Sequence, residues 1–273
     1  MYKSILAISE GGPDAVMSFR LAARIAAEFD GTVDAVHFEE YHEHESDITV
    51  QSMPFLSRLS DDRVKARALE SQRAFRDLLA PLKGATFTDD EAMTRDELVR
   101  SGRFASLVVI GRPGADDENI APATVKAAIY DCARPVIIAP PDLKAGPIAS
   151  VVVAWNGSVQ AARAVGLAMP FLAKAAKVTI VVADAAPEEV AMPFLMRTLG
   201  RHGVAATVDT VKFGAFSTGR GRGRALIAYA KDKGADLLVM GAYGHGELSN
   251  FLGLGGATAK VISSCPVPLL LAH

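Results

Sequence analysis

The stretch of this chain best suited to chemistry is Met240-Gly-Ala-Tyr-Gly-His-Gly-Glu-Leu-Ser-Asn-Phe-Leu-Gly-Leu-Gly-Gly-Ala-Thr258. Its glycines at 241, 244, 246, 253, 255 and 256 lie between the apolar run Asp236-Leu-Leu-Val-Met240 and the helix-forming run Ala257-Thr-Ala-Lys-Val-Ile-Ser-Ser264. A short, unbroken apolar run bounded by glycine reads as a buried parallel strand. Strand, glycine-rich loop and helix start together make a place for an anion. Glycines let backbone N–H groups approach a phosphate without a Cβ in the way, and the first helical turn adds unpaired donors and a positive dipole end.

Other clusters point to chemistry less directly. Ser217-Thr-Gly-Arg-Gly-Arg-Gly-Arg224 places Arg220, Arg222 and Arg224 at a helix start, able to hold an anion or simply to be solvated. It lacks the Gly-Lys-Ser/Thr ending of a P-loop. His42 and His44 stand among Glu39, Glu40, Glu43 and Glu45, which are metal-capable types whose alternation in a loop fixes no tetrahedral set, so no metal site is assigned. His245 reads as an exposed loop residue. No catalytic residue is nominated, because no paired carboxylates or triad stand out.

The elements that position the loop occur twice. Lys3-Ser-Ile-Leu-Ala-Ile-Ser9 matches Ala149-Ser-Val-Val-Val-Ala-Trp155, and Ser106-Leu-Val-Val-Ile-Gly111 matches Asp236-Leu-Leu-Val-Met-Gly241. Asp131-Cys-Ala-Arg-Pro-Val-Ile-Ile-Ala139 likewise matches Ser264-Cys-Pro-Val-Pro-Leu-Leu-Leu-Ala272. Pro140-Pro-Asp-Leu-Lys-Ala-Gly-Pro147 reads as the linker, so domains are expected at 1–140 and 148–273. In the first half, strands are expected near 3–9, 32–38, 84–88, 106–111 and 135–139, and helices near 14–29, 61–82, 94–103 and 122–132. The second half predicts strands near 150–155, 177–183, 205–212, 236–241 and 267–272, and helices near 158–174, 187–202, 219–233 and 256–264. Such alternation means an α/β fold, a parallel sheet with helices on both faces.

Gly241-x2-Gly244, a spacer, Gly255-Gly256-Ala-Thr258 and then Cys265-Pro-Val-Pro-Leu-Leu-Leu271 resemble the C-terminal signature of the universal stress protein family. Through the internal repeat the resemblance extends over both halves. That family's ATP-binding branch has Gly-x2-Gly-x9-Gly-Ser/Thr; here the spacer is ten residues and Gly256 replaces the hydroxyl. The resemblance implies two tandem doubly wound five-stranded parallel sheets, strand order 3-2-1-4-5, of the adenine nucleotide alpha hydrolase-like kind. Family members pair through the fifth strand, so Val136-Ile-Ile-Ala139 and Pro268-Leu-Leu-Leu-Ala272 are expected to pair within the chain as a pseudo-dimer. A homodimer of such tandem chains is a further possibility.

The resemblance also implies a nucleotide cleft in the second half. It would be lined by Ala154, Trp155 and Asn156 at the first strand's end, by Val182 at the second's, and by Met240, Gly241, Gly244, Gly255, Gly256, Ala257 and Thr258 around the loop. Asn156 stands where ATP-binding members carry Asp, and Trp155 reads either as a core aromatic or as a base-stacking ring. The implied ligand is ATP or a related adenine nucleotide, with Mg2+ alongside it, in a stress-response regulator that hydrolyses ATP slowly at most. The alternative is a non-nucleotide-binding scaffold that acts through dimerisation and protein contacts.

The first-half loop, Gly111-Arg-Pro-Gly114-Ala-Asp-Asp-Glu-Asn-Ile-Ala-Pro-Ala-Thr124, carries Asp116, Asp117 and Glu118 against a phosphate, and Pro122 removes a donor N–H. That half reads as degenerate. Glu10-Gly-Gly-Pro-Asp-Ala15 resembles the pyrophosphatase loop Ser-Gly-Gly-x-Asp-Ser with both serines absent, so it reads as a glycine turn with Asp14 near a helix start. Residues 39–60 form a long connection whose Met53-Pro-Phe-Leu56 suggests a packed flap.

Composition excludes several classes. The chain of 273 residues has a formal net charge of −2, which offers no nucleic-acid surface. No apolar run nears the roughly 20 residues of a membrane-spanning helix. Cys132 and Cys265 form no disulfide framework, and the chain start shows no leader pattern, so a cytoplasmic protein is expected.

Overall fold

The apolar runs of the first half form β1 (Ser4–Ser9), β2 (Thr32–His37), β3 (Thr86–Asp89), β4 (Leu107–Gly111) and β5 (Val136–Ala139). Those of the second half form β6 (Ser150–Trp155), β7 (Lys177–Ala183), β8 (Ala206–Val211), β9 (Leu237–Gly241) and β10 (Leu269–Ala272). Between them run α1 (Met17–Phe29), α2 (Pro54–Leu78), α3 (Arg95–Phe104), α4 (Pro122–Asp131), α5 (Val159–Lys174), α6 (Met192–Arg201), α7 (Gly219–Asp232) and α8 (Ala257–Ser264). This computed structural model describes residues 2–12, 16–39, 54–90, 93–113, 120–183, 191–212, 218–243 and 256–273, with backbone only for 54–61 and 183.

All ten strands share one sheet in the order β3-β2-β1-β4-β5-β10-β9-β6-β7-β8. The order 3-2-1-4-5 therefore occurs twice, joined back to back. Pairing is parallel within each half and antiparallel only at the seam, where Leu269, Leu270 and Leu271 face Ile138, Ile137 and Val136. The seam strands are wholly buried, as an apolar strand at the middle of a sheet must be. The outer strands β3 and β8 are largely exposed and alternate Thr and Asp with apolar residues, which suits free edges.

Side-chain alternation along the strands feeds two cores. Ile5, Ala7, Val153 and Ile180 face α1, α2, α5 and α6, whereas Leu6, Ile8, Val152 and Val181 face α3, α4, α7 and α8. Both cores cross the seam. On the first face Tyr2 and Phe29 meet Phe171 of α5, with ring centroids 4.9–5.2 Å apart, and the Tyr2 hydroxyl donates to the Leu167 carbonyl. Aromatic pairs of this geometry add about 0.5–1.5 kcal/mol each beyond their buried area.

Expected and observed elements agree within a few residues, with one correction. α2 begins at Pro54, not at 61, so the expected flap around Phe55 and Leu56 is the first turn of a helix of 25 residues. Proline is at home there, because the first helical N–H has no intrahelical partner to lose.

Candidate functional site

In the second half the chain leaves β6 towards β7 on one side and returns to β9 on the other, so the sheet order reverses between β6 and β9. The carboxyl ends of strands beside such a reversal are where open α/β sheets bind ligands. Met240, Ala154 and Val181 stand in register across β9, β6 and β7 and form a row of small and apolar groups on the α7–α8 face.

α7 and α8 begin side by side above this row. A Cβ built on Gly219 would lie 3.1 Å from Gly256 Cα and 3.2 Å from the Ala257 nitrogen. One built on Gly223 would lie 2.8 Å from the Ala257 carbonyl oxygen and 2.9 Å from Lys260 Cβ. Glycine on every fourth residue of α7 thus lets two helix starts touch. Neither first turn carries an acidic residue. Thr218 caps α7 by accepting the Gly221 N–H at 3.2 Å, while α8 starts at Gly256 with no side-chain cap. Each helix start carries about half a positive charge, so the pair presents a positive pole suited to phosphate or carboxylate.

The first half has the same geometry with a different outcome. Glu10, at the end of β1, turns inward and is 4 % exposed. Its carboxylate accepts the Ala121 N–H at the start of α4 (2.6 Å) and the Thr124 hydroxyl. The helix start is therefore occupied by the protein's own carboxyl group. Burial pushes the Glu10 carboxyl up to about 7; the bonds from Thr124 and Ala121 and the Arg67 charge pull it back, and Glu39 adds to the rise.

α2 closes over the same strand end. Arg67 donates to the Glu10 carbonyl at 2.6 Å, and the Gly12 N–H donates to Glu70 at 2.9 Å. A Cβ on Gly11, where φ is +76°, would stand 2.5 Å from Arg67 Cβ, so glycine is required for α2 to sit so close. Beneath, the Ser71 hydroxyl bonds both Ser9 Oγ and His37 Nδ1 at 2.9 Å, and His37 Nε2 lies 4.0 Å from Glu39. Serine, histidine and carboxylate stand in catalytic order, yet Ser9 and Ser71 are wholly buried, leaving a substrate no approach. The network fastens α2 to β1 and β2. Burial pushes His37 below its ordinary range, with the Asp89 charge opposing, which keeps it neutral near pH 7.

The structure divides the expected cleft residues. Ala154, Met240, Gly256, Ala257 and Thr258 lie on the α7–α8 side or at its helix start. Trp155 and Val182 instead point into the opposite core, 8 % and 0 % exposed, so Trp155 is a core aromatic. Asn156 is exposed, and its side-chain carbonyl accepts the Ser158 N–H at 3.1 Å in the turn that starts α5. A Cβ on Gly241 would come within 2.6 Å of the Ala161 nitrogen, so this glycine is needed for packing against α5. Gly244, Gly255, His245, Asp14, His42, His44 and Asp116 to Glu118 lie outside the described residues. Among the described residues no group of three or more metal-ligating side chains converges, and no helix is long and apolar enough to cross a membrane.

Sequence reasoning missed the inward turn of Glu10 and the contact between the starts of α7 and α8. The alternating glycines of Gly219-Arg-Gly-Arg-Gly223 were the available signal for the second. Their spacing of four puts Gly219 and Gly223 on one helix face.

A doubled, doubly wound sheet defines the fold class. Residues 148–273 match the model of the Universal stress protein family, and the first half repeats the strand order of that half. A universal stress protein from Archaeoglobus fulgidus DSM 4304 superposes with a TM-score of 0.64 at 16 % identity, covering 99 % of this chain and 96 % of that one. A functionally unknown protein from Pseudomonas aeruginosa PAO1 superposes with a TM-score of 0.55 at 11 % identity, covering 99 % and 92 %. These likenesses are of fold. No curated protein matches the sequence.

Proposed function

We propose that the second half, residues 148–273, binds ATP or a related adenine nucleotide, and that the protein acts through this binding as a stress-response regulator, with the first half, residues 1–140, as its degenerate partner. The observation that carries the reading is the contrast between two helix starts. Glu10 fills the one at Ala121, whereas the one at Gly256 has, among the described residues, no acid in its first turn, no side-chain cap and a second helix start against it. Phosphates would accept backbone N–H groups from the first turns of α7 and α8, with Arg220 beside them. Ala154, Met240 and Val181 would lie under the base. Among the described residues neither helix's first turn offers a carboxylate to a metal, so Mg2+ would come held on the phosphates.

The test is nucleotide extraction from freshly purified protein and ATP titration by calorimetry, for the wild type and Gly256→Asp. Gly256 has open space where a Cβ would be built. Aspartate there should cap α8, adding about 0.5–1 kcal/mol of stability while placing a carboxylate where phosphate would sit. Binding in the wild type with loss of at least tenfold in the stabler variant is the expected result. A wild type that takes up no ATP at millimolar concentration would overturn the reading.

One observation favours a second reading, a scaffold acting through protein contacts. Asn156 Oδ1 already accepts the Ser158 N–H, which ties this side chain to the turn before α5.

A further inference from the structure

Tyr243 follows β9 by two residues and stands immediately before Gly244. Its φ is +55°, a left-handed conformation that is strained for a bulky residue and persists only where neighbours impose it. The neighbour is in the other half. The Tyr243 ring stacks on Tyr130 of α4, with centroids 5.4 Å apart and planes 24° apart. Tyr130 in turn meets the His273 ring at 4.4 Å. His273 Nδ1 donates to the Ala242 carbonyl at 3.1 Å, and Arg163 of α5 donates to the His273 carbonyl at 3.0 Å. The Ala242 N–H is held by Ala272 at 2.8 Å. The direction in which the chain leaves β9 is thus fixed on its backbone by β10 and His273, and on its side chain by a tyrosine from the half whose own helix start is closed.

We propose that Tyr130 is a positioning residue for the second-half site. Its ring holds Tyr243 in the left-handed conformation in which the chain leaves β9 beside Met240, so the first half sets ligand affinity in the second without touching the ligand. This rests on the nucleotide reading above for the identity of the ligand, but not for the coupling itself. The first half thereby serves the other one, since the same α4 whose start bonds Glu10 meets Tyr243 at its far end.

The experiment uses the full chain and two readouts, hydrogen exchange of amides 242–256 without ligand and ATP affinity. The variants are Tyr130→Ala, Tyr130→Phe and Tyr243→Gly. Tyr130→Ala should speed exchange across 242–256 about fivefold while sheet amides are unchanged, and should weaken ATP by a similar factor. Tyr130→Phe should restore both, because the ring and not the hydroxyl makes the contact. Adding Tyr130→Ala to Tyr243→Gly should change nothing further, since the coupling is already gone. Unchanged exchange across 242–256 in Tyr130→Ala, or loss of protection through the whole sheet, would overturn the proposal. If the wild type binds no ATP, the nucleotide reading falls and the exchange comparison still decides the coupling. If Tyr130→Ala does not fold, Tyr243→Gly decides it, with unchanged exchange overturning the proposal.

Discussion

Glu10 and Ala121 lie 111 residues apart and share a hydrogen bond of 2.6 Å, a carboxylate on the free N–H of a helix start. The second half offers Asn156 and Gly256 at the matching positions, and Asn156 is turned to Ser158 instead. The two halves thus differ in the residue that ends the first strand: a carboxyl bonded to a helix start in one, an amide bonded to the next turn in the other.

The closure should titrate. Burial raises Glu10 from 4.5 to about 7, so the folded protein binds more protons than the unfolded chain between those values. Its contribution is fully present below about 4.5 and is lost as pH rises through about 7, a difference of up to about 3 kcal/mol by the shift alone. Urea unfolding from pH 4.5 to 8 should therefore show a decline in the wild type that Glu10→Gln lacks. Parallel curves for the two proteins would refute the assignment.

Contact between α7 and α8 should depend on Gly223. Gly223→Ala drives a Cβ to 2.8 Å from the Ala257 carbonyl oxygen, and should destabilise by about 1–3 kcal/mol and separate the two helix starts. Gly166→Ala is the control. Gly166 is exposed in mid-helix with nothing near its Cβ position, so alanine should stabilise by about 0.5–1 kcal/mol. Chemical denaturation of both variants checks the pair.

The hydroxyl absent from the loop can be put back. Gly256→Ser meets open space, caps α8 and supplies an acceptor and a donor. Calorimetry should find the fold kept and ATP bound severalfold more tightly than by the wild type. Weaker binding would argue that phosphate sits elsewhere.

Ser71 should be the joint between α2 and the sheet. Ser71→Ala leaves Ser9 Oγ and His37 Nδ1 buried without their shared partner, which costs about 1–3 kcal/mol. Unfolding midpoints would show this as a loss of stability with no change in ATP affinity, because the second half is untouched.

Period and repetition made the sheet legible. Continuous apolar runs such as Leu107–Gly111 and Leu237–Gly241 can only be central parallel strands, and family resemblance supplied their order and the seam. Interactions between distant residues stayed hidden. Nothing in Glu10-Gly-Gly-Pro says that its carboxylate reaches Thr124, because that contact forms only when β1 and α4 are already placed. The packing role of Gly241 stayed hidden for a related reason: a glycine beside a phosphate and a glycine under a helix look alike in sequence, and only the fold shows α5 within 2.6 Å of its Cβ position. Trp155 shows the limit of strand-end reasoning. Alternation alone decides which face a strand's last residue serves, and one step of register sends it away from the cleft.

The antiparallel join of β5 to β10 has a further meaning, because both strands belong to one polypeptide. Pairing between separate subunits is governed by concentration and can be re-sorted among different chains. Pairing inside one chain survives dilution and admits no exchange of partners. The half that carries Glu10 and the half that carries Asn156 are therefore made in a ratio of one to one at synthesis, and each protein molecule is an unequal pair from the start.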